Sequence, residues 1–516
     1  MKTALDSLPQ TIGGPDTADV QGSCLRMFEN SSQRLIVHQS MAIEEYYLGI
    51  TGLNMRWEVI GNILILAAVT LLDIPDTRQL DSDQSQDSSG LCLLGKLLSA
   101  ADRCKKLCSK EDGNELTICF YYNYCILATL RHDDSGVNLC PLENVSDANQ
   151  HLVRELWSNV SDLATVIYSG GYNLDPKDGS PLFLRQLRRR CFAATFFVDK
   201  TVATFLKRPP LIQSRYCDLT PPFDFDEDEM AKDDFFIGPT AQPVDQNGWA
   251  MDRGKLRPIT FIRFRFILAI IREQALEVVL TIDKQNLAEQ AARVLQEAET
   301  TWNARPASMH YSSTLWDQGR DHEEVWSLML LHLDYWYSIF LIYMTVVQHT
   351  STKPPAIYST AMELLSTVLI INRQRIRVSG LRTDLSWAFL FYGLPSAELL
   401  AHELLRESRN PSSQNAQLPH SELIRNLSVF MSCLDWVAMP AHRNHGLCKQ
   451  AAIKLEGILD QTLNPRFQQQ QLAQSILTAD GFGGDGVSNL DFSFDWCQFS
   501  NWDPAPGLSA LYNISG

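Results

Sequence analysis

An all-α fold built as a large multi-helix domain is what this sequence predicts. Apolar residues return at three- and four-residue steps through most of the chain, no stretch sustains a period of two, and proline, glycine or polar clusters punctuate the helical runs. At 516 residues the chain is too long for one simple core, so a two-lobed or solenoid-like body with appended tails is expected. A hydrophobic fraction of 45% with 20% charged residues confines disorder to local segments.

The first elements follow from caps and stops. Residues 1–30 read as a flexible leader, and Asn30-Ser31-Ser32 as the cap of a first helix carrying Leu35, Ile36, Ile43, Tyr46 and Tyr47. The next run, 57–72, is apolar almost all round and stops before Pro75, which places it inside a packed body. Residues 81–90, DSDQSQDSSG, contain no apolar side chain and form a linker. Helical patterns resume at 91–109, 116–130 and 151–169, the last closed by Gly170-Gly171.

The central helix, 182–207, carries Leu187, Cys191, Ala194, Val198, Val202 and Phe205 on one stripe, which predicts a buried face. Arg185, Arg188, Arg189 and Arg190 crowd its first turns, where positive charge opposes the helix dipole. Carboxylates elsewhere in the fold, or a bound anion, are expected to hold them. Pro209-Pro210 end the helix, because proline restricts the residue before it and donates no amide hydrogen. The irregular stretch 209–248, with its acidic run around Asp224, Asp226 and Glu227, is expected to be a surface crossover between two lobes. Further helices are expected at 259–280, 284–303, 323–348, 356–375, 384–409, 421–436 and 447–463, completing a helical body over 31–463. Within this body 326–347 has the length of a membrane span, but His332 and Asp334 interrupt it and predict a buried helix.

From residue 464 the composition changes. Phe492, Phe494, Trp496, Phe499 and Trp502 alternate with Asp491, Asp495 and Asp503. In a disordered activation segment, acidic neighbours keep aromatics solvated until a partner's groove buries them. A tail docked on its own body fits the composition equally well.

Charge and cysteine usage narrow the function classes. The net charge of −16 disfavours DNA binding by this chain alone. No basic cluster followed by an apolar run opens the sequence, so an intracellular chain is expected. None of the twelve cysteines forms a C-x-x-C pair, which sets aside a thiolate zinc cluster and leaves reduced, small apolar side chains. His442, His445 and Cys448 have a spacing that gathers ligands on a helix, but Gly446 and a helix start weaken it. His402-Glu403 and His322-Glu323 lack the second histidine of a zinc-protease helix, with Arg406 and Trp326 in its place. Asp233-Asp234 lacks a third carboxylate, and no phosphate loop or G-x-S-x-G elbow occurs. No catalytic, metal or cofactor site is therefore expected.

Within the central segment, RRRCFAATFFVDKTVATFLKRPPLI and RYCDLTPP resemble the signature of the fungal-specific transcription factor domain, the regulatory middle homology region of zinc-cluster transcription factors. The resemblance rests on Arg188, Arg189 and Arg190, the aromatic stretch 192–197, Asp199-Lys200, Arg208-Pro209-Pro210, and the exit from Asp218 to Pro222. Two more stretches, in family order, are similar to it: Arg56-Trp57-Glu58 with Gly61, and Leu331-His332-Leu333-Asp334-Tyr335.

The resemblance implies a nuclear transcription regulator that answers to a small-molecule effector, meets co-regulators or the transcription machinery, and pairs as a homo- or heterodimer. Relatives of this type begin with six paired cysteines holding two zinc ions, a module not found before the first regulatory helix. Zinc is expected only if such a module is missing from this sequence. Otherwise the chain works without its own DNA reader, as a modulator of an intact transcription factor. A helical enzyme is the third reading.

Overall fold

A computed structural model describes residues 20–73, 90–108, 113–130, 145–175, 179–225, 244–252, 254–350, 353–379, 385–409, 418–437 and 444–464. Among them the fold is all-α, with one isolated bridge between Val244 and Ala250 in place of any strand.

The N-terminal part contains α1 (Val20–Ser32), α2 (Ile43–Leu48), α3 (Trp57–Asp73), α4 (Gly90–Leu107), α5 (Glu115–Leu130), α6 (Val145–Ser169) and α7 (Leu182–Leu206). Then come α8 (Pro258–Leu280), α9 (Leu287–Asn303), α10 (His322–His349), α11 (Ala356–Arg373) and α12 (Arg375–Ser379). The last group is α13 (Ser386–Ala388), α14 (Leu394–Arg409), α15 (His420–Val437) and α16 (His445–Leu463).

Local chemistry sets several boundaries as expected. Gly171 at φ 70° accepts the left-handed turn that closes α6, and the Tyr172 amide reaches back to the Ile167 carbonyl at 2.9 Å. Pro258 occupies the first turn of α8, where its missing amide hydrogen leaves no gap. Lys207 ends α7 at φ 48°, a conformation uncommon outside glycine, just before Arg208-Pro209-Pro210.

Three expectations need correction. Asn30-Ser31-Ser32 end a helix instead of starting one, and α1 occupies the last part of the expected leader from Val20. The Ser31 hydroxyl accepts the Trp57 amide at 2.8 Å, so the polar trio caps a helix 26 residues away instead of its own sequel. The expected helix 384–409 is interrupted by a π turn, Phe389–Gly393. Pro395 lies two residues beyond it, and a proline inside a helix clashes with the carbonyl four residues back, here that of Phe391 within the wider turn. The crossover is also not wholly superficial, since Ile212, Asp224 and Phe225 are buried. Residues 1–19, 226–243, with Asp233-Asp234, and the tail 465–516, with Phe492, Phe494, Trp496, Phe499 and Trp502, lie outside the described residues.

Two main cores share one wall. The first packs α3 to α7, and the second packs α9 to α16. Helix α8 serves both, with Phe266 and Ala269 in the first and Phe261, Phe264, Leu268 and Ile271 in the second. Phe266 meets Phe192 and Phe196 of α7 edge to face at 5.8 and 5.3 Å. Helix α10 is the one described helix long and apolar enough to cross a membrane, and it runs through the second core with Trp326, Leu331 and Leu333 buried.

Candidate functional site

The most tightly built polar site lies where α7 leaves the core. Asp199 and Lys200 are 0% and 1% exposed, which demands that each find a partner. The Asp199 carboxylate accepts the amides of Leu211 and Ile212 at 2.9 and 3.0 Å, pinning the chain just after the proline pair. Lys200 Nζ donates to Asp199 at 2.8 Å and to the Ile212 carbonyl, and lies 3.5 Å from Glu273 of α8. It also sits 3.6 Å from the Phe196 ring centre, a favourable cation–π position. Glu273 completes the clamp by accepting the Ser214 amide at 2.9 Å. Two carboxylates and one ammonium thus hold the 211–214 turn between α7 and α8.

Of the arginines at the start of α7, Arg188 and Arg189 are held by carboxylates, as expected, and Arg190 reaches a backbone carbonyl. Arg188 pairs with Glu115 of α5 at 2.5 Å and reaches Ser180 at 3.3 Å. Arg189 grips Asp175 through two bonds of 2.9 and 2.7 Å. Arg190 donates to the Phe225 carbonyl, and Arg263 of α8 to those of Pro222 and Asn247. Burial lowers the Arg263 guanidinium to about 10. A small open cleft lies here, lined by Tyr172, Asp175, Arg188, Arg189, Phe192 and Asp218.

Neighbouring contacts secure the exit. Asp218 turns on itself, accepting the Thr220 hydroxyl at 2.6 Å. Arg208 lies 5.0 Å from the Trp157 ring centre, which keeps the Arg208-Pro209-Pro210 turn against α6. Asp224 accepts the Thr260 hydroxyl at 2.5 Å, and burial raises its carboxyl above the usual range.

The Arg56-Trp57-Glu58 stretch builds a separate buried junction. Arg56 donates to the carbonyls of Ser31 and Gln33 at 3.1 and 2.9 Å, while Glu58 accepts from Ser31 and Asn114 at 2.9 and 3.2 Å. Gly61 is needed because a Cβ there would lie 2.3 Å from the Phe120 ring of α5. In the second core, His332 bonds Glu363 at 2.8 Å and Tyr335 stacks on Trp302 at 4.2 Å. Asp334, between them in sequence, is buried against Arg272 and accepts the Tyr392 hydroxyl at 2.9 Å; burial raises its carboxyl.

These groups form separate sites; Arg188, Arg189, Asp175 and Asp218 border the cleft, while the polar atoms of the other sites face one another. Sequence reasoning missed Glu273, Glu115, Asp175 and Glu363, each remote from its partner in the chain. Among the described residues no group of three or more His, Cys, Asp or Glu side chains is placed to hold a metal. His445 and Cys448 both lie on α16, with Cys448 buried, and His442 lies outside the described residues. Glu403 is taken up by Arg406.

Residues 145–303 match the family described as the fungal specific transcription factor domain. The match runs from α6 through α9 and includes the clamp, the arginine cluster and Trp302. No curated protein and no solved structure matches the chain.

Proposed function

We propose that this chain, which carries a fungal specific transcription factor domain over residues 145–303, is a transcription regulator of the zinc-cluster type. In this reading the helical body responds to an effector or a partner, and residues 464–516 form an activation segment that works in the nucleus. The observation that carries it is the coincidence of the family match with the clamp and the arginine-rich start of α7. An enzyme is disfavoured because the charged groups of this segment are engaged in ion pairs and backbone capping.

The activation reading is tested by fusing residues 464–516 to an unrelated DNA-binding domain in a fungal host. Reporter output that falls when Phe492, Phe494, Trp496, Phe499 and Trp502 become alanine is the expected result, and a silent fusion rejects it. DNA recognition is assigned to another chain or another module, consistent with a net charge of −16. Sequence-specific shifting of DNA by this purified chain would overturn that assignment.

A further inference from the structure

Two thiols meet where α5 crosses the arginine-rich start of α7. Cys119 Sγ and Cys191 Sγ are 3.3 Å apart, and both residues are partly buried. The gap is little more than 1 Å longer than a disulfide bond of about 2.05 Å. They are separated by 72 residues in sequence, so only the fold brings them together. Glu115 and Arg190 provide the charge around them, and the Arg188–Glu115 pair sits one turn away on each helix.

We propose that Cys119 and Cys191 are an oxidation site that closes into a disulfide when the chain meets a hydroperoxide, tying α5 to α7 beneath the arginine cluster. Hydrogen peroxide takes two electrons from the Cys119 sulfur, leaving a sulfenic acid and releasing water. The Cys191 thiolate then attacks that sulfur, the S–S bond forms, and the departing hydroxide takes up the thiol proton as a second water. Its contact with Cys119 and its burial push the Cys191 thiol well above its ordinary value, so thiolate is scarce and the second step is slow. The crosslink belongs to sustained oxidation, and a thiol reductant reverses it.

The site is independent of the activation reading and needs no ligand. The full chain is exposed to hydrogen peroxide, remaining thiols are alkylated, and the tryptic peptides spanning 111–131 and 191–200 are examined by mass spectrometry. A linked peptide pair lighter by about 2 Da than the two reduced peptides, lost on adding dithiothreitol, is expected. Peptide 111–131 also holds the buried Cys125, so Cys119→Ser must abolish the link while Cys125→Ser leaves it. Circular dichroism confirms that each variant stays helical. Separately alkylated Cys119 and Cys191, at a peroxide dose that oxidises the partly buried Cys24 and Cys217, would overturn the proposal, as would a link to Cys125.

Discussion

The two halves of α7 handle charge in opposite ways. Its start carries Arg188 and Arg189 at the rim of a cleft, with Arg190 beside them, and each of the three is only partly buried. Its second half carries Asp199 and Lys200 in the interior, where both are almost fully buried. The same helix therefore has a tolerant end and an intolerant end. What separates them is the dielectric around each pair, since desolvation is what makes a missing partner expensive.

Breaking the interior pair is the strongest test. Lys200→Met leaves Asp199 as a buried charge without its cation and is expected to lower unfolding stability by about 3–5 kcal/mol in denaturant titration. A loss below about 1 kcal/mol would mean that the two backbone amides suffice for Asp199. An uncharged control comes next. Gly61→Ala drives a methyl into the enclosed Phe120 ring and should cost about 1–3 kcal/mol, placing pure overpacking below charge burial.

At the rim, Arg189→Gln removes a two-bond pair whose side chains are 14% and 26% exposed, so at most about 1 kcal/mol is expected. A larger loss would make the rim as intolerant as the interior and erase the contrast. The smallest effect concerns pH at the half-exposed Glu363. The His332 hydrogen bond holds its carboxyl below the ordinary 4.5, so its contribution is present above that value and is lost as pH falls through the lowered one. The melting-temperature difference between wild type and Glu363→Gln should accordingly shrink on acidification below about 4.5. A difference that grows there reverses the assignment.

Local pattern and long-range pairing were unequally readable. The extents of α3, α5, α7, α8 and α10 follow from apolar periodicity and flanking proline or glycine, all of which act within a few residues. The same signals misplaced Asn30-Ser31-Ser32, because a serine hydroxyl caps whichever helix start the fold brings to it, here Trp57. The π turn was hidden because helical periodicity persists across Phe389–Gly393, and only Pro395 hinted at it. For the candidate site, the sequence marked Asp199, Lys200 and the arginines through resemblance and charge. It offered no sign of Glu273, 73 residues beyond Lys200, or of the meeting of Cys119 with Cys191.

Composition and periodicity alone therefore determined that this chain is helical, that α10 is an interior helix, and that α7 has a basic start. These are properties of single segments, set by side-chain spacing along one axis. Of the stripe read on α7, Val198 and Val202 are buried while Leu187, Cys191, Ala194 and Phe205 are only partly so. The tertiary structure decided which charges are neutralised, which are buried and which thiols touch. Those outcomes depend on helices tens of residues apart arriving at one place, and no short-range pattern encodes that arrival. For α7 this means that its family signature is visible in sequence, while the unequal tolerance of its two ends arises only from packing against α5 and α8.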